Sequence, residues 1–286
     1  MVAVLDSLTP GQQDFVCFPE VCLHTGADLA RAVRHAESVP GPTTEILGSR
    51  CRRLDSHVLL PLLESADQNV YNTVVLLDPA GRIAGRYRKH FPTSYEMKDG
   101  VSPGQEIPVW QTVHGGVGCA VCFDLKFPEV ALALARGGAR LVFWPTMFRG
   151  GTRLAAWARD YGFALVSCGA WGGQVIDQHG QLIADSIFPA RVAGAVEVQL
   201  VHARLNLDCK TYHLDYNRQK LADLLSKYAN GLEAFLMDDE GIFTLTSTME
   251  QRTVDQIEQE FGLVDLRSYL DKAIRDRQAI LNRPTP

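Results

Sequence analysis

The chain has 286 residues, 46% of them hydrophobic, with 21% charged and a formal net charge of −5. That is ample apolar material for a large core in one domain with an appendage, while the dispersed Lys and Arg argue against a nucleic-acid surface or membrane adhesion. No apolar run is long enough to span a bilayer, no signal peptide opens the chain, and seven cysteines without framework spacing point to a reduced, cytoplasmic setting.

In chain order, Met1–Ser7 reads as the end of a helix or as an isolated strand. Asp14–Glu20 is an apolar strand that ends in a carboxylate just after a proline. Ala27–Val39 has helical periodicity and is closed by Pro40-Gly41-Pro42. His57–Leu63 and Val70–Asp78 read as strands, with Asp78-Pro-Ala-Gly81 as the turn that follows. Gly81–Pro92 carries a further strand that ends in Lys89. Gly116–Cys122 is apolar and β-prone and reads as a buried strand ending at the cysteine. Phe127–Gly137 follows as a helix, with Pro128 in its first turn and Gly137-Gly138 stopping it. Thr152–Tyr161 is a helix and Phe163–Cys168 a strand. Such alternation predicts an α/β sandwich.

Beyond about Leu200 the character changes. Asp215–Ala229 reads as an amphipathic helix, Gly241–Ser247 as a short strand, and Thr253–Leu281 as one or two charged helices. Val254, Ile257, Phe261, Leu266, Leu270 and Ile274 form apolar stripes at helical spacing. The expected organisation is therefore a chemistry-bearing domain over 1–200 and a mostly helical C-terminal extension over 201–286, used for packing or oligomerisation.

Cys122 carries the most chemical information. A thiol at a strand-to-helix turn faces a cleft while its backbone is held rigidly, and nearby N–H groups can face a developing oxyanion. Most intracellular cysteines are small core residues, so the thiol alone decides nothing. The Cys119-Ala-Val-Cys122 spacing also matches a redox or zinc CxxC. In a strand, however, those side chains point to opposite faces, no second CxxC exists, and the eight histidines are scattered. Cys119 therefore reads as core. Three strands end in Glu20, Lys89 and Cys122, and α/β folds place chemistry at such ends. A carboxylate, a cation and a thiol suit acyl transfer.

Phe18-Pro-Glu20, Tyr87-Arg-Lys89, and Cys122-Phe-Asp124 with Phe127-Pro-Glu129 resemble, in order and spacing, the three signatures of the nitrilase superfamily of carbon–nitrogen hydrolases. Tyr71–Gly81, Val142–Thr146 and Val175–Gly180 are similar to its connecting elements. The resemblance spans about Asp14 to Leu200 and implies a four-layer α-β-β-α sandwich. It implies Glu20 as general base, Cys122 as nucleophile forming a thioester, and Lys89 with the Phe123 N–H as oxyanion stabilisers. Glu96 matches a second glutamate of the family that orients substrate or lysine, whereas Glu129 suits a helix N-terminus. Thr146, Met147, Phe148 and Trp171 fall where relatives line the substrate pocket. No metal or organic cofactor is implied.

Because Phe-Asp follows Cys122, the amidase-like branch is expected: a small-molecule amide giving a carboxylate and ammonia or an amine. Nitrilase and N-carbamoyl amidohydrolase chemistry, or a silent oligomeric binding module, are the alternatives. Relatives commonly pair through helical faces, so a homodimer or higher homo-oligomer is expected. Only thirteen residues precede Asp14, where the family has a strand and a long helix. The fold thus reads as lacking its usual first strand and part of its first helix, with a sheet edge open to association.

Overall fold

The computed structural model describes residues 1–24, 26–186, 190–192 and 196–283. Contacts divide the chain into two units, Met1–Ala203 and Arg204–Pro286.

The first unit runs α1 (Val2–Ser7), β1 (Phe15–Cys17), α2 (Leu29–Val33), α3 (Pro42–Leu54), β2 (His57–Ala66), β3 (Asn69–Leu77) and β4 (Ile83–Arg88). It continues with α4 (Ser94–Lys98), β5 (Val109–Thr112), β6 (Gly115–Cys119), α5 (Pro128–Arg136), β7 (Leu141–Thr146) and α6 (Thr152–Tyr161). Then come β8 (Ala164–Gly169), β9 (Gly172–Ile176), β10 (Leu182–Asp185) and a short antiparallel pair, β11 (Ala190–Val192) with β12 (Val196–Val198).

Two sheets result, one four-stranded in the order β1-β2-β3-β4 and one six-stranded in the order β10-β9-β8-β7-β6-β5. The outer face of the first packs on α1 and α3: Leu5, Leu47, Cys51 and Leu54 join Val58, Leu60, Leu62, Val75 and Leu77 in one buried cluster. The outer face of the second packs on α5 and α6, where Val130, Leu134, Leu154 and Trp157 meet Val142, Trp144 and Leu165. Each such fully buried aliphatic side chain stabilises by roughly 1.5–3 kcal/mol. The inner faces meet directly. Phe15 of β1 lies 5.4 Å, centroid to centroid, from Phe143 of β7. The Cys168 thiol donates to the Cys17 carbonyl at 3.1 Å. Gly85 on β4 has no room for a side chain, since a Cβ there would sit 2.1 Å from the Trp110 indole nitrogen. This is the α-β-β-α sandwich.

One open local reading is decided and two expectations are corrected. Of the two readings of Met1–Ser7 the helix holds, as α1. The helix expected over Ala27–Val39 shrinks to α2, and the longer helix α3 begins at Pro42, inside the segment expected to close a helix. Proline at a first helical position loses no intrahelical hydrogen bond. Here Gly41 N–H also donates to Thr44 Oγ1 at 2.9 Å, and Thr43 N–H donates to the Glu37 carboxylate at 3.0 Å. The strand expected to reach Cys122 ends at Cys119. Val121 N–H leaves the ladder for Asp124 Oδ2 at 2.8 Å, and Cys122 has φ +48°, which no strand accommodates.

The second unit has β13 (Cys209–His213), α7 (Arg218–Lys227), β14 (Leu232–Met237), β15 (Ile242–Ser247), α8 (Val254–Phe261) and α9 (Leu266–Leu281). Its antiparallel three-stranded sheet has the order β13-β15-β14, two strands more than the sequence pattern announced. Tyr212, Leu224, Phe243, Leu245, Val254 and Ile257 form its core. No residue of α9 is buried. Among the described residues, no helix is long and apolar enough to cross a membrane.

Candidate active site

The candidate groups converge beyond strand ends of both sheets. Glu20 lies three residues past β1, Lys89 directly follows β4, and Cys122 opens a 3-10 turn, Cys122–Lys126, after β6. Glu20, Lys89, Glu96 and Cys122 are 4%, 1%, 8% and 9% exposed, respectively, so ionised groups here gain little from bulk water. Lys89 Nζ donates to Glu20 Oε1 at 2.9 Å and to both Glu96 oxygens at 3.0 and 2.8 Å. Burial works against the ammonium, but Glu20, Glu96 and the Cys122 sulfur outweigh it and hold the Lys89 pKa above its ordinary value.

Glu96 owes its place to a capping box. Thr93 caps α4, accepting the Glu96 N–H on Oγ1 at 3.2 Å, while Glu96 Oε2 accepts the Thr93 N–H at 2.7 Å. The same carboxylate thus starts a helix and clamps the lysine. Burial raises its pKa, yet Lys89 and the hydrogen bonds from Thr93 and Asn72 prevail and lower it.

Cys122 sits in the left-handed region at φ +48°, and so does Val21 after Glu20 at φ +50°; a β-branched residue seldom adopts that conformation. The Glu20 carboxylate and the Met147 N–H both face the thiol. Burial, then the Glu20 charge, push the thiol up to about 12, against the opposing pull of Lys89 and the Met147 N–H. It is therefore a thiol at neutral pH, and a nucleophilic role for it would require a base to take its proton as the new bond forms. The turn itself is fixed by Asp124. Its Oδ2 accepts from Tyr87 Oη at 2.7 Å and Val121 N–H at 2.8 Å, and its Oδ1 accepts from Phe91 N–H at 2.8 Å. One carboxylate thereby ties the strand before Lys89, the loop after it and the residue before Cys122. Burial pushes Asp124 up to about 6 despite those donors. Trp144 Nε1 holds the Cys122 carbonyl at 3.1 Å.

The remaining expected residues separate. The Phe123 ring stands edge-on to Phe127 at 5.2 Å. Thr146 is buried and spends its hydroxyl on the Phe148 backbone, donating at 3.0 Å and accepting at 3.1 Å. Met147 is half exposed and brings its N–H to Cys122. Phe148 packs on Trp144 at 5.0 Å. Trp171 is 68% exposed, in the turn between β8 and β9, with its carbonyl accepting from Arg149 Nη1 at 3.1 Å. Cys119 is fully buried. Among the described residues, no group of three or more His, Cys, Asp or Glu is placed to hold a metal ion.

Sequence reading left out Asn72, Tyr87 and Asp124 as site residues. All three stood inside quoted segments, with Asn72 at the polar start of β3 and followed by an apolar run. A polar residue at a buried alternation position was the available signal.

The carbon-nitrogen hydrolase family model matches residues 6–165. The chain belongs to that family. This carbon-nitrogen hydrolase family member is 26% identical over 210 residues to an omega-amidase, NIT2-B, of Xenopus laevis, covering 63% of this chain and 75% of the relative. It is 35% identical over 116 residues to an N-carbamoylputrescine amidase of Solanum lycopersicum, covering 39% of each. A bifunctional nitrilase/nitrile hydratase, NIT4B, of Lupinus angustifolius is 32% identical over 112 residues, covering 39% of this chain and 32% of the relative. The chain thus spans between 32% and 46% of the length of the first curated relatives it matches. Among solved structures, Saccharomyces cerevisiae Nit3, a nitrilase-superfamily member, matches with TM-score 0.53 and 21% identity over 60% of this chain and 72% of that one. A variant of the Nesterenkonia sp. amidase with acrylamide added at its active-site cysteine matches with TM-score 0.57 and 21% identity, over 75% of this chain and 86% of that one. These structural matches establish the nitrilase-type fold.

Proposed function

We propose that the protein hydrolyses the carbon–nitrogen bond of a small amide through a thioester on Cys122, releasing a carboxylate and ammonia or an amine. One observation carries this reading: a buried thiol faces a carboxylate, Glu20, that a buried lysine, Lys89, holds by one oxygen only. Glu20 takes the thiol proton as sulfur attacks the carbonyl carbon, so no free thiolate accumulates. The negative charge that moves to the carbonyl oxygen is stabilised by Lys89 and by the Phe123 N–H of the turn. Glu96 keeps Lys89 charged and aimed. Glu20 then protonates the leaving nitrogen, the carbon–nitrogen bond breaks, and the same carboxylate activates water to hydrolyse the thioester. Met147 and Phe148 are assigned to the pocket wall beside the thiol, with Thr146 shaping their turn and Trp171 at an exposed rim.

The amide assignment rests on Phe-Asp after Cys122 and on amidases among the relatives. Ammonia release from a panel of short amides and the matching nitriles tests it: amides are turned over faster, and faster nitrile turnover overturns the assignment. The reading includes a reducing, cytoplasmic setting that keeps the thiol usable. It also includes a homo-oligomer, because α9 exposes Leu270, Ile274, Ile280 and Leu281. Sedimentation at low micromolar concentration tests the latter, and a stable, active monomer contradicts it.

A further inference from the structure

Asn72 of β3 lies at the centre of the charge cluster and is fully buried. Its Nδ2 donates to Glu20 Oε1 and to Glu96 Oε1, each at 2.9 Å. Its backbone carbonyl accepts the Lys89 N–H at 2.8 Å. One residue therefore touches the carboxylates on either side of the lysine and the lysine's own backbone. The amide orientation is dictated by charge, since the opposite one would set Oδ1 against two carboxylate oxygens. The arrangement leaves Asn72 Oδ1 buried with no partner.

The consequence falls on Glu20. Its Oε1 already accepts from Lys89 and Asn72, whereas its Oε2 is buried and has no partner. We infer that Asn72 is a positioning residue: by saturating Glu20 Oε1 together with Lys89, it presents Oε2 as the atom that receives the Cys122 proton. It acts through Glu20 and contacts neither thiol nor substrate. The same amide ties Glu96 to Glu20, so the lysine is held between two carboxylates whose spacing Asn72 sets. This inference rests on the proposed role of Cys122 and Glu20, and adds which oxygen works and what selects it.

The test compares wild type with Asn72→Ala and Asn72→Asp, with Cys122→Ala as blank. Alkylation at Cys122 by iodoacetamide, followed by mass spectrometry, reports proton removal without any substrate. Asn72→Ala slows it roughly 10-fold, and in an amide assay lowers kcat about 10- to 100-fold with KM within about 3-fold, as expected for losing hydrogen bonds to ionised groups. Asn72→Asp sets a third carboxylate among Glu20, Glu96, Lys89 and the facing Cys122 thiol. Its activity relative to wild type rises as pH falls, because the protonated acid regains one donor. Unchanged alkylation and kcat in Asn72→Ala overturn the inference. So does a loss that falls on KM alone, or one that merely tracks a lowered melting temperature. If wild type turns over no amide while alkylation still depends on Asn72, the functional reading fails and the positioning role stands.

Discussion

Two buried carboxylates of the first unit sit in similar company and are treated differently. Glu64, on β2, is fully buried, and each of its oxygens accepts two hydrogen bonds. Arg86 and Arg88 supply three of them at 2.6, 2.9 and 2.9 Å, and Thr73 the fourth at 2.8 Å. The Arg88 guanidinium also stacks 4.0 Å over the Tyr71 ring. Glu20 is just as enclosed, yet one of its oxygens is saturated and the other left open. A carboxylate with every lone pair engaged can hold a sheet together but has nowhere to put a proton. An open acceptor in a dry site is costly to stability and useful only where something arrives to fill it. Satisfaction of hydrogen bonds, more than burial or charge, separates the structural cluster from the candidate site.

The strongest way to break that distinction is at the thiol. Cys122→Ala is expected to abolish turnover and the acyl adduct seen by mass spectrometry, while circular dichroism stays that of wild type. Cys119→Ala keeps most activity; were it equally dead, chemistry through the Cys119–Cys122 pair would return. Next in size, Glu20→Gln and Lys89→Ala each lower kcat at least about 100-fold, as removal of a general base or an oxyanion donor does. A smaller loss in Glu20→Gln would remove the meaning assigned to the open oxygen.

Glu64→Gln probes the other side. It should lower stability by about 2 kcal/mol in urea titrations while kcat stays within about 3-fold of wild type. Burial alone would raise the Glu64 pKa, but Arg88, Thr73 and Arg86 lower it overall. A carboxyl group lowered on folding stabilises above its unfolded pKa of about 4.3 and loses that contribution as pH falls through its folded value. The gap between wild type and Glu64→Gln should therefore close below about pH 4. Asp124, raised by burial to about 6, has the opposite sign, and its contribution is lost as pH rises through that value. The smallest effect belongs to Glu260 of the second unit, whose bonds with Lys227, Arg252 and Tyr228 lie in solvent. Glu260→Gln should leave the melting temperature within experimental error.

Local apolar runs placed Glu20, Lys89 and Cys122 at strand ends, but only Lys89 directly follows its strand; Glu20 and Cys122 each lie three residues past theirs. Glu96 was legible only through the resemblance, whereas the capping box that fixes it depends on the Thr93 conformation. Helix α3 is hidden in the sequence because Pro42 suits either a helix stop or a first turn, and only the caps around Gly41 and Thr44 make it a start. β14 escaped because four of its six residues, Glu233–Leu236, are exposed and give no alternation.

Residue types and local spacing alone determined the α/β class and the carboxylate, cation and thiol that suit acyl transfer, since strand periodicity needs only neighbouring residues. The three signature segments were legible by their resemblance to a family. Only the tertiary structure decided which acceptor of Glu20 remains open. That depends on Lys89 meeting Glu20 across 69 positions, and on Asn72 meeting Glu20 across 52 and Glu96 across 24. Hydrogen bonds at such separations are set by how two sheets and a capped helix pack, and no local pattern encodes them.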